Sequence, residues 1–65
     1  MLGAIKIFKL NTEMYPQSSN AFDSLAEAYM NAGEKDLAIQ NYEKSLELNR
    51  QNDHAVQMLK RLQQQ

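Results

Sequence analysis

The sequence predicts an all-α fold built from antiparallel helix–turn–helix units, about four helices in all. Two observations carry this reading. Apolar residues recur at helical spacing on both sides of a lone glycine: Phe22, Leu25, Ala26 and Tyr29 come before Gly33, and Ala38, Ile39, Tyr42 and Leu46 follow it. The 65-residue chain also holds only one proline, two glycines and few β-branched aliphatics, so little interrupts or disfavours helix. Gly33 can close a helix in the left-handed conformation. A link this short obliges the two flanking helices to lie antiparallel with their apolar faces together.

Taken in order, residues 1–15 read as the first helix, with Ala4, Ile5 and Phe8 on one face and Lys6, Lys9 and Glu13 outside it. Pro16 disfavours helical geometry in Tyr15, so this helix should end near Met14. Gln17, Ser18, Ser19 and Asn20 form a polar link rich in capping residues. A second helix is expected over about 21–32, with Asn20 as its cap and Asp23 as the third-residue partner of that cap. The third helix is expected over about 35–48, with Glu34 at its start, where the helix dipole favours an acid. Asn52 or Asp53 is suited to cap a fourth helix that turns Ala55, Val56, Leu59 and Leu62 inward and frays at its closing glutamines.

Size and composition exclude several classes. A unit of 65 residues is one domain, and at this size folding buries only ~60% of the surface of the unfolded chain. No cysteine is present to staple it. The net charge of −1, with both signs interspersed, gives no basic footprint for nucleic acid. No apolar run is long enough to span a membrane, and the start lacks the layout of a signal peptide. The compartment is not specified; the cytoplasm is the default expectation.

The pattern Phe22-x-x-Leu25-Ala26-x-x-Tyr29, Gly33, Ala38-x-x-x-Tyr42 resembles the tetratricopeptide repeat (TPR), a helix–turn–helix unit of 34 residues. The resemblance implies a right-handed superhelical segment in which Ala26, Ala38 and Ser45 mark close helix contacts and Phe22, Leu25, Tyr29 and Tyr42 fill the gaps around them. Shifting the chain by 34 residues lays Ala4-Ile5-x-x-Phe8 on Ala38-Ile39-x-x-Tyr42, and Ala21-Phe22-x-x-Leu25 on Ala55-Val56-x-x-Leu59. The expected organisation is one TPR-like module: residues 1–15 as the second helix of a partial repeat, 19–52 as a complete repeat, and 53–65 as a capping helix. Two positions depart from the family. Arg50 stands where the proline that ends the second helix is usual, which allows the third and fourth helices either to bend or to fuse. Lys60 falls where the central repeat has the small Ala26, as suits a cap with one polar face.

No catalytic, cofactor or metal constellation is expected. His54 is the single histidine and is read as a surface residue in the first turn of the last helix. Tyr29 and Tyr42 are read as core fillers with their hydroxyls near the edge, and Met14 and Met58 as gap fillers. Asp23 and Glu27, four residues apart, are mutually repulsive neighbours.

The TPR resemblance implies a partner groove on the first-type helices, lined by Asn20, Asp23, Glu27, Met30, Asn31, His54, Gln57 and Arg61. Its acids disfavour a carboxylate ligand and favour a basic peptide. The first helix carries a second signal. Leu2, Ile7 and Leu10 make its outward face apolar, whereas the same shift lays Ile7 on the polar Asn41 and Leu10 on Lys44. A helix apolar nearly all round is usually covered on more than one side. The expected function is therefore non-enzymatic protein–protein contact, through a peptide in the groove, self-association, or contact with an upstream domain. A C-terminal appendage of a larger enzyme, for example a hydrolase, is the alternative.

Overall fold

The computed structural model describes the backbone of residues 2–64 and the side chains of residues 3–64. The chain is all-helical among these residues. Helices α1 (Leu2–Met14), α2 (Ser19–Asn31), α3 (Lys35–Leu48) and α4 (Asp53–Gln63) follow one another, and each packs chiefly on its neighbours in sequence. The boundaries themselves repeat: helix ends recur from Met14 to Leu48 and helix starts from Ser19 to Asp53, both at an offset of 34 residues.

Local chemistry explains each boundary. Tyr15 N–H still reaches the Asn11 carbonyl at 2.8 Å, and the chain turns at Pro16 so that Ser18 N–H bonds the Tyr15 carbonyl. Helix α2 then begins two residues before the sequence suggests. Its cap is Ser18, whose hydroxyl accepts from Ala21 N–H at 3.2 Å, and not Asn20. Of several adjacent cap-forming side chains, Ser19 is already engaged with α3 and Ser18 is free to turn back on the helix end.

At the far end of α2, Gly33 adopts φ 82°, while Gly33 N–H bonds the Met30 carbonyl and Glu34 N–H the Tyr29 carbonyl. These two bonds form the Schellman closure, which the left-handed residue makes possible. Glu34 precedes α3 without a side-chain capping bond.

Helices α3 and α4 bend apart and do not fuse. Asn49 is extended (φ −147°, ψ 98°), and its side-chain oxygen accepts from Gln51 N–H at 3.1 Å. Such a local asparagine turn offers the backbone an alternative to continued helix. It does here what a proline at position 50 would otherwise do.

The core is shared by α2, α3 and α4: Ala26, Ala38, Tyr42, Ala55, Met58, Leu59 and Leu62, with Tyr29, Met30, Ile39 and Leu46 packed against it. Ala26, Ala38 and Ser45 are wholly buried, as close contact points must be. Helix α1 is set against α2, and its Ala4, Ile5 and Phe8 are half-buried. Met14 does not fill a gap. It lies exposed, because the chain leaves α1 there and nothing folds back across it.

Candidate functional site

The point where α2, α3 and α4 converge is polar. Ser45 on α3 is a close contact point whose hydroxyl is forced into the interior, where a polar group needs partners. It finds the Ser19 hydroxyl at 2.8 Å and carbonyl at 2.9 Å, and Asn52 Nδ2 at 2.8 Å. Asn52 also donates from Nδ2 to Asp23 Oδ2 at 2.9 Å, and its Oδ1 caps α4 by accepting from Ala55 N–H at 3.3 Å. One asparagine side chain thus ties three helices.

Asp23 extends this network outward. His54 Nδ1 lies 2.9 Å from Asp23 Oδ1 and 3.0 Å from Oδ2. A carboxylate can only accept, so Nδ1 carries the proton and donates. The opposite ring nitrogen, Nε2, faces Glu27 Oε2 at 4.0 Å. His54 is therefore no unattached surface residue. It is about half exposed, oriented by Asp23, and lies between the two carboxylates of Asp23 and Glu27.

Beneath it lies Tyr42, whose ring meets the imidazole edge-on with centroids 5.9 Å apart. The Tyr42 hydroxyl does not reach the edge of the protein as the sequence suggests. The residue is wholly buried, and its hydroxyl has no hydrogen-bond partner among the described residues. Burial, reinforced by the charges of Asp23 and Glu27, pushes the phenol up to about 12. The unfolded phenol titrates near 10, so between pH 10 and 12 the unfolded state has lost a proton that the folded state keeps, and stability falls as pH rises. A shift of this size corresponds to a loss of about 2–3 kcal/mol. Tyr42→Phe is expected to match or slightly exceed wild-type stability at neutral pH, because it removes an unsatisfied buried hydroxyl, and to lack this component of alkaline unfolding. Urea unfolding of both proteins at pH 8 and pH 11 measures the difference.

Of the residues expected to line a groove, the structure brings Asp23, Glu27 and His54 together. Met30 and Arg61 meet elsewhere, around a pocket of ≈ 320 Å³ completed by Gly33, Lys35, Met58 and Leu62. Asn20, Asn31 and Gln57 are exposed and line neither feature. Asp23 is half-buried and already bonded to Asn52 and His54, so a basic peptide would have to displace them to reach it. On α1, Ile7 and Leu10 are 63% and 55% exposed. The side chain of Leu2, grouped with them on sequence grounds, lies outside the described residues.

Sequence reading did not find the tie among Ser19, Asp23, Ser45 and Asn52, whose bonds join residues 7 to 33 apart in the chain. The available signal was Ser45 itself, a hydroxyl at a position read as a tight helix contact. No protein-family model and no curated protein matches the chain.

Proposed function

We propose that this chain is a TPR-like, non-enzymatic module that works by protein–protein contact, and that its contact surface is the outer face of α1, covered by a second copy of the chain. The TPR reading is supported by the 34-residue recurrence of helix boundaries and by the complete burial of Ala26, Ala38 and Ser45. The contact reading rests on one observation. Ile7, Leu10 and Met14, spaced i, i+3, i+7, form an exposed apolar stripe along α1. A soluble monomer rarely leaves a large contiguous patch of this kind open.

Charge favours a second copy as the occupant. Leu10 sits in a shallow depression flanked by Lys6, Lys9 and Glu13. In a two-fold antiparallel pairing centred on Leu10, Glu13 of one copy comes level with Ile7 of the other, between its Lys6 and Lys9. The same patch then serves both partners, as a two-fold interface requires. Each buried Ile or Leu side chain contributes ~1.5–3 kcal/mol. Among the described residues no helix is long and apolar enough to cross a membrane.

Sedimentation equilibrium tests the proposal. The wild type is expected to be a dimer, and Ile7→Lys with Leu10→Lys a monomer of unchanged helicity, since both side chains are exposed. A wild type that stays monomeric at high concentration would overturn the pairing and assign the stripe to a different protein.

A further inference from the structure

We propose that His54 and Glu27 form a binding site for a single Zn²⁺-type divalent ion that clasps α4 to α2, with Asp23 as the carboxylate that orients the imidazole. The inference goes beyond the α1 contact surface and does not depend on it. With Nδ1 donating to Asp23, Nε2 is the ring atom left facing Glu27 Oε2 across 4.0 Å, and it is the atom a metal ion would take, displacing any proton there. An ion seated between them would be bonded by both. Carboxylate, histidine and metal in sequence is the usual order at histidine-ligated ions, where the carboxylate fixes the tautomer and raises the basicity of the ligating nitrogen.

The distances suit such an ion. Ligand atoms of Asp23, Glu27 and His54 all lie within 4.8 Å of one another. Two ligands at zinc bond lengths of about 2.0–2.1 Å stand about 3.4 Å apart in tetrahedral geometry, so Glu27 and His54 need close by only about half an ångström. Both side chains are about half exposed and can swing. Asp23 cannot follow as readily, because Asn52 holds its other oxygen at 2.9 Å, and this fits it for the orienting role.

A second observation points the same way. Tyr42 is wholly buried against the His54 ring, and its hydroxyl has no partner among the described residues. Water completing the coordination of an ion bound here would give that hydroxyl a hydrogen-bonding neighbour. One imidazole and one carboxylate, with the remaining positions left to water, favour Zn²⁺ over the all-oxygen preference of Mg²⁺ or Ca²⁺.

Calorimetric titration of the intact chain with ZnCl₂, together with the ¹⁵N shifts of the His54 ring, tests the site. One Zn²⁺ is expected per chain, with the shift change at Nε2 and not at Nδ1, a raised Tm, and no comparable response to Mg²⁺. Glu27→Gln and His54→Gln should abolish the response. Asp23→Asn, which keeps the shape and removes the charge that orients the ring, should weaken it by about 10–100-fold. Should His54→Gln disturb the docking of α4, the Glu27→Gln variant still decides, because Glu27 is exposed. No heat and no Nε2 shift at millimolar Zn²⁺, or equal binding by wild type and Glu27→Gln, would overturn the site and leave an ion pair only.

Discussion

Asn52→Ala is expected to destabilise the fold by about 2–4 kcal/mol, a large share of the stability of a chain this small. The loss has two parts. The cap on α4, made by Asn52 Oδ1, contributes ~1 kcal/mol. The Nδ2 group donates to Ser45, which is wholly buried, and to Asp23, which is half-buried; removing it strips a donor from each, at about 1–3 kcal/mol for the more buried of them. A comparison with Asn52→Asp separates the two parts. Aspartate caps helices about as well as asparagine, so a position that only capped would tolerate it. Here aspartate brings no donor and sets a second carboxylate beside Asp23, so it should cost at least as much as alanine. Urea unfolding followed by circular dichroism measures both. An Asn52→Asp protein as stable as wild type would reduce Asn52 to an ordinary cap.

Ala26→Leu should cost about 3 kcal/mol, the upper end of the usual range for overpacking a core. Ala26 is wholly buried in a cluster that draws on α2, α3 and α4 together. Three added carbons cannot be accommodated by moving one helix, because Ala38 and Ala55, also wholly buried, mark equally close approaches nearby. Thermal unfolding followed at 222 nm gives the value. An unchanged midpoint would mean that the helices do not meet at this residue.

These two residues show what the sequence makes legible and what it does not. Ala26 could be found by periodicity alone, because apolar spacing reports which face of a helix is buried and residue size reports how close its neighbour comes. The span of α3 was legible in the same way, with Gly33 before it and a polar cluster after it. Asn52 was legible only as a cap, which is its local role. Its longer reach to Asp23 and Ser45 depends on helices brought together by tertiary packing, and no local period encodes that. The start of α2 was misplaced by two residues because Ser18, Ser19 and Asn20 are equivalent as local caps; the choice is made by Ser45, which engages Ser19 from another helix. His54 was hardest. A lone histidine in a first turn looks solvated, and only the approach of α4 to α2 reveals the two carboxylates on either side of it.

The exposed stripe on α1 is the reverse case, since both the sequence pattern and the structure place Ile7 and Leu10 on the outside. Its proposed cover can be observed directly. An equimolar mixture of ¹³C-labelled and unlabelled chains, examined by isotope-filtered NOE spectroscopy, reports only contacts between copies. Antiparallel pairing of α1 should give intermolecular NOEs from the Leu10 methyls of one copy to Leu10 of the other, and from Ile7 methyls to Glu13. Intermolecular NOEs confined to α3 or α4, or none at concentrations where the stripe should be covered, would contradict self-association through α1.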